Sequence, residues 1–365
     1  MRSAEEAVAI ARELDLRDEL AYALNILARV EGQMDRVDAA TAHYGEAAEL
    51  FERLRDGPML ADTRVMVANL KVISGDYDGA LVGASEVYRM SEESHNPWGQ
   101  GMSRQTTATV QLQRGDYGGA IRSLEESVRL GNMAKANWVE GTQLWLVMAR
   151  LAAGDQETAL AQLGGAAALA SIVAADSAPP MLVWVLAHAA VLRGDLDEAR
   201  RLRAKASVLA VPPQAGAVVP LVSAEIAHAI GDYPTAAQIA HEALEGAGRG
   251  RLQIFGTDLQ WLEGDALLRA GDLSASSSAL ERARLEAERL GSRRTLWLIL
   301  WSLARLADAE GRASDGVELR RRARAMVEAI AESLSTLGLA ESFKHTPYAT
   351  ALLAETPSVN SDARL

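Results

Sequence analysis

A Gly-Asp dipeptide recurs at near-regular spacing along this 365-residue chain: Gly75-Asp76, Gly115-Asp116, Gly154-Asp155, Gly194-Asp195, Gly231-Asp232 and Gly271-Asp272. Weaker versions, Gly32-Gln33 and Gly311-Arg312, flank the set. Consecutive glycines lie 43, 40, 39, 40, 37, 40 and 40 residues apart. A sustained period of this length predicts one array of stacked units, each burying its apolar face against the next. Length alone would have allowed two or three domains.

Every turn glycine has similar surroundings. Seven residues before it stand Ala68, Ala108, Ala187, Ala224, Gly264 and Ala304, with Asn25 and Val147 as exceptions. Five residues after it stand Ala80, Ala120, Ala159, Ala199, Ala236, Ser276 and Gly316, with Val37 as the exception. Ala166, Ala206, Ala243, Ala283 and Ala323 follow at twelve. Small residues at fixed offsets on both sides of a turn let two antiparallel helices approach closely. The Gly suits a left-handed C-cap, and the Asp can cap the next helix. Apolar residues three to four apart, such as Leu259, Leu262 and Leu280, Ala283, predict amphipathic helices on either side. No strand-like alternation occurs.

Ala108…Gly115-Asp116-Tyr117…Ala120 resembles the tetratricopeptide repeat, as do Ala68…Gly75-Asp76-Tyr77…Ala80 and Ala224…Gly231-Asp232-Tyr233…Ala236. The common repeat has a period of about 34, so these units should carry longer helices. The family's proline after the second helix is missing, and few units hold its aromatics. HEAT or armadillo solenoids share a period near 40, but the small-residue and Gly-Asp pattern favours the tetratricopeptide form. The resemblance implies an all-α, right-handed α-solenoid, a TPR-like superhelix of about eight antiparallel helix pairs over residues 17–336. Residues 1–16 are expected to form a half-repeat or N-terminal capping helix with Ala7, Ile10, Ala11 and Leu14 on one face. Residues 337–354 are expected to form a C-terminal capping segment, in which Pro347 opens a short helix. The polar tail 355–365 is expected to be disordered.

The array and its closing segment also resemble the C-terminal repeat half of bacterial multidomain signalling ATPases: maltose-regulator-like activators and nucleotide cyclase or kinase–ATPase proteins. There the repeats sense a ligand or partner and restrain an ATPase. This chain has no GxxxxGK[ST] loop and no helix-turn-helix pattern after residue 335. Under this resemblance the effector parts would lie upstream in a longer protein.

Composition narrows the function. With no Cys, disulfides, a thiol nucleophile and Cys-ligated metal are excluded. A net charge of −12 argues against nucleic acid as a partner. The N-terminus lacks a signal pattern, and the most apolar stretch, Met181 to Leu192, is too short to span a membrane. A cytoplasmic protein is expected. The six His include no HExxH or i, i+4 pair, and no Gly-x-Ser-x-Gly elbow occurs. No metal, cofactor or catalytic residue is therefore assigned, and no enzyme is expected. Ser276-Ser277-Ser278 and acid pairs such as Glu125-Glu126 are read as turn structure and solvated helix faces. Arg clusters at 200–203, 282–289 and 320–324 lie among acids and are read as convex faces.

All seven Trp fall in segments assigned to first helices, which line the concave face in tetratricopeptide-like solenoids. Ten residues before the turn Gly stand Tyr22, Val65, Gln105, Leu144, Trp184, Leu221, Trp261 and Trp301. Four residues further come Ile26, Asn69, Thr109, Met148, His188, Glu225, Asp265 and Arg305. The resemblance makes these groove positions. The candidate binding set is Trp184, His188, Glu225, Trp261, Asp265, Trp301 and Arg305, with packing between repeats as the competing role for the Trp. The expected occupant is a protein or peptide partner. A small-molecule effector is the alternative, and self-association stays open.

Overall fold

A computed structural model describes residues 1–34, 36–164, 180–206, 218–246 and 255–355. The secondary structure there is helical. After α1 (Arg2–Glu13), helices pair as α2 (Arg17–Gln33) with α3 (Val37–Leu54), α4 (Gly57–Ser74) with α5 (Tyr77–Glu93), and α6 (Pro97–Gln113) with α7 (Tyr117–Ala134). The pairs continue as α8 (Val139–Ala152) with α9 (Gln156–Gln162), α10 (Pro180–Leu192) with α11 (Leu196–Ala206), and α12 (Val218–Ala229) with α13 (Tyr233–Gly246). Helices α14 (Gly256–Ala270) with α15 (Leu273–Leu290), and α16 (Arg293–Ala309) with α17 (Ala313–Ser333), complete the array. A 3-10 turn, Ser335–Leu337, leads to α18 (Ala340–Lys344) and α19 (Pro347–Ala354). Consecutive antiparallel pairs stack as a tetratricopeptide-like superhelix. No described helix is long and apolar enough to cross a membrane.

The turn chemistry is local. Gly75 ends α4 at φ +80°, where its N–H reaches Val72 O and the Asp76 N–H reaches Lys71 O. A side chain would be strained at that φ. The Asp76 carboxylate then accepts the Gly79 N–H at 2.9 Å, and Asp116 accepts the Gly119 N–H at 2.8 Å. Asp155 makes no such cap bond and instead takes Arg150 at 2.5 Å. Asp116→Ala should therefore cost about 1 kcal/mol. Urea denaturation should register it as a lower midpoint at unchanged slope; an unshifted midpoint would remove capping from the account.

The first turn corrects the sequence register. Helix α2 runs through Gly32; Met34 caps its C-terminal end and Arg36 the start of α3. Arg36 N–H bonds Glu31 O just as Asp76 N–H bonds Lys71 O. The anomalous 43-residue spacing thereby becomes the ordinary one. The small residues at the two offsets become Ala28 and Ala40, both fully buried, and Asn25 and Val37 cease to be exceptions. The inner positions of this unit become Asn25 and Arg29 rather than Tyr22 and Ile26, which are largely exposed. Ala68, Ala80, Ala108, Ala120, Ala187, Ala199, Ala224 and Ala236 are likewise buried. In the seventh unit Ser276 donates to Gly264 O at 2.8 Å, binding the helices where Ala would only touch.

Three further expectations need correction. Helix α1 buries Val8 and Ala11, leaving Ala7, Ile10 and Leu14 exposed, because α2 packs on the neighbouring stripe. Trp138 is the N-cap of α8, outside the first helices. Arg320 is buried on Asp308, and Arg324 donates to Leu352 O at 3.2 Å, so that cluster is only partly convex surface. Ala166 and the expected disordered residues 356–365 lie outside the described residues.

First helices of successive units are joined by polar pairs 36–38 residues apart. Asn25 donates to Thr63 at 2.7 Å, Thr106 to Asn69 at 2.6 Å and Ser302 to Asp265 at 2.6 Å. Such buried pairs fix the register between repeats, since a slip would leave each group unsatisfied.

Candidate binding lumen

The superhelix closes on itself. Helix α6 touches α16 and α7 touches α17, five repeats further on. Arg294 and Ser292 both donate to Gln113 Oε1, at 3.3 and 3.5 Å, and Arg122 donates to Thr336 Oγ1 at 3.0 Å. Gly118 permits the closest approach: a Cβ there would lie 2.0 Å from the backbone oxygen of Ser333.

Closure turns the concave face into a lumen. Six first helices line a cavity of about 170 Å³, through Thr109, Met148, His188, Glu225, Trp261 and Trp297 among others. Phe343, Thr346, Pro347 and Tyr348 add a further wall, because the segment after Gly338 folds back into the lumen. Phe343 stands edge-on to Tyr117 at 5.7 Å and to Trp297 at 6.5 Å. Tyr348 stands edge-on to Trp261 at 5.3 Å. Trp145 and Phe255 stack at 5.9 Å on another wall.

Two ion pairs face this apolar interior. His188 Nδ1 meets Glu225 Oε2 at 2.7 Å, joining the same repeat position in adjacent units. Arg294 binds Asp258 through both terminal nitrogens, at 2.5 and 2.7 Å. Behind the wall, Asp265 accepts Arg269 and Ser302 and meets His228 Nε2 at 2.7 Å. Burial by itself would lift the Asp265 pKa. The His228 hydrogen bond and charge, then Arg269 and Ser302, hold it well below the usual carboxylate range. Burial acts to lower the His188 pKa, but the charge and hydrogen bond of Glu225 outweigh it, and the group titrates above its ordinary value.

These shifts set a pH window. The raised His188 pKa contributes stability that is complete below the unfolded value of about 6.5 and is lost as pH rises through the folded value. The depressed Asp265 pKa contributes stability present above about 3.9 and lost as pH falls through the folded value. Stability should therefore be greatest in weak acid. His188→Gln should flatten the alkaline limb of the melting temperature against pH; an unchanged limb would contradict the pairing.

Of the seven candidate residues, the lumen cavity brings together His188, Glu225 and Trp261. The other four are placed elsewhere, which corrects the reading of one shared groove. Trp184 is 0% exposed in the core between repeats, Asp265 lies behind the wall at 1%, and Trp301 is 2% exposed. Arg305 covers the Trp301 ring at 3.7 Å and pairs with Glu355 at 3.1 Å. Sequence reasoning missed Arg294, Asp258, Phe343 and Tyr348. The first two occupy no fixed offset from the turn glycine, and the last two follow the final repeat and share no register with it. Among the described residues, no group of three His, Asp or Glu is arranged to hold a metal.

Fold and lumen together define a tetratricopeptide-like repeat protein. Among solved structures it is similar to a Rap protein complexed with competence and sporulation factor: TM-score 0.54, 12% identity, 92% of this chain and 98% of that one. Lower similarity joins it to a tetratricopeptide repeat protein from Parabacteroides merdae (TM-score 0.31, 11% identity, 93% of this chain and 100% of that one). Yeast Tom70 is comparable (TM-score 0.33, 13% identity, 93% and 100%). The Rap likeness shows the fold alone, and the other two scores are too low to add to it. No protein-family model and no curated protein matches the sequence.

Proposed function

We propose that the chain is a non-enzymatic regulatory binding protein that receives a segment of a protein or peptide partner in the lumen of its superhelix, in the bacterial cytoplasm. The observation that carries this reading is the occupant already there: residues 339–354, seated through Phe343 and Tyr348 on Tyr117, Trp297 and Trp261. A wall of rigid aromatics offers large contact area at low conformational cost. Solenoids of stacked repeats use their concave faces in this way. The Rap protein's complex with competence and sporulation factor is a precedent for binding by a protein of this fold.

Met148→Arg places a charge on the wall and removes none of the groups that form the polar pairs. Partners captured by the wild-type chain should be lost by this variant while its helical circular dichroism is retained. An identical captured set would sink the reading. The alternative is a small-molecule-sensing module of a larger signalling ATPase, favoured by the 170 Å³ cavity with His188, Glu225, Asp258 and Arg294 around it. A ligand of that size should quench or shift emission from Trp145 and Trp261 on direct titration, with no partner protein present.

A further inference from the structure

Helices α2 to α17 pack as paired repeats, whereas α18 and α19 cross the lumen. They are five and eight residues long, below the roughly 12 residues at which isolated helices persist. Gly338, at φ +70°, turns the chain inward between the last repeat and this segment. The contact differs in kind from those between repeats. There, alanines meet across paired helices; here, two aromatic anchors sit beside a 170 Å³ cavity, with Ala349 and Leu352 buried behind them. A short segment seated through a few side chains beside a cavity is packed as a bound ligand is.

We propose that residues 339–354 are an internal ligand, and that the lumen accepts in trans a partner segment of the same chemistry. Its pattern is given by what faces inward: a buried aromatic as at Phe343, a second, half-buried one five residues on as at Tyr348, a small buried residue directly after it as at Ala349, and a buried aliphatic residue as at Leu352. The partner displaces the chain's own segment, so unliganded protein is self-inhibited. Arg324 holds the segment's far end through Leu352 O, and Lys344 meets Glu328 at 2.8 Å on the solvent side. Neither contact reaches the lumen wall. This inference rests on the reading that the lumen is the binding site.

A labelled synthetic peptide of residues 339–355, titrated by fluorescence anisotropy against the full chain, tests it. Self-occupancy lowers apparent affinity by the open fraction, so half-saturation should fall about tenfold or more in Phe343→Ala/Tyr348→Ala relative to wild type. Adding Met148→Arg should abolish that binding. Equal affinity for both proteins, or no binding to a double variant with wild-type circular dichroism, overturns the proposal. If the double variant does not fold, hydrogen exchange on the wild type decides. Amides of 340–354 should exchange about 100-fold faster than those of α14 and α16; a common rate overturns the proposal. Partner loss on Met148→Arg without peptide binding would leave the lumen as the site and remove the internal ligand.

Discussion

Asp265→Ala is expected to destabilise the protein by about 3–5 kcal/mol, the usual cost of stranding buried charges. Its carboxylate accepts Ser302 at 2.6 Å and Arg269 at 2.7 Å, and meets His228 at 2.7 Å. Ser302 in turn accepts the Trp261 indole N–H at 3.0 Å. Removing one carboxylate therefore leaves a cation without its partner and frees the tryptophan that Tyr348 packs against. Asp265→Asn keeps the volume and one acceptor, so it should lose less, while also losing the acid limb of the stability profile. Urea denaturation checks both; an Asp265→Ala loss within about 0.5 kcal/mol of zero, the range of an ordinary surface change, would show that the network carries little.

Gly118→Leu is expected to open the superhelix. A Cβ at this position meets the Ser333 backbone at 2.0 and 2.9 Å, and a backbone cannot rotate out of the way as a side chain can. Helices α7 and α17 must separate, at a cost of about 1–3 kcal/mol or more. The Gln113 and Arg122 contacts would break with them, while the packing within each repeat pair remains. Small-angle scattering should then give a larger radius of gyration at nearly constant helical content. Gly141→Leu is the control, because nothing lies within 4 Å of a Cβ there. Equal radii for the two variants would mean that the closure does not depend on this approach.

Local features were the legible ones. The Gly-Asp turns, the buried alanines on both sides and the aspartate caps each involve residues a few positions apart, so a period in the sequence exposes them directly. The register failed once, at Gly32, because that glycine lies inside α2, whose C-cap is Met34. His188 and Glu225 were readable as neighbours since both occupy the same offset in adjacent repeats. The tryptophans were not, because the same helix turn can face either the lumen or the next repeat: Trp261 lines the cavity and Trp184 does not. Closure was least accessible. It depends on small rotations summed over five repeats, and no single residue encodes them. The seating of Phe343 and Tyr348 follows from that closure and was hidden with it.

The central claim is that the array closes into a lumen that holds residues 339–354. The chain has no Cys, so introduced pairs label uniquely. Spin labels at Arg122→Cys and Thr336→Cys, whose native side chains meet at 3.0 Å across the closure, report it directly by double electron–electron resonance. One narrow population at short distance is predicted, converting to longer distances in Gly118→Leu. A broad, long-distance distribution in the otherwise wild-type chain would contradict the account.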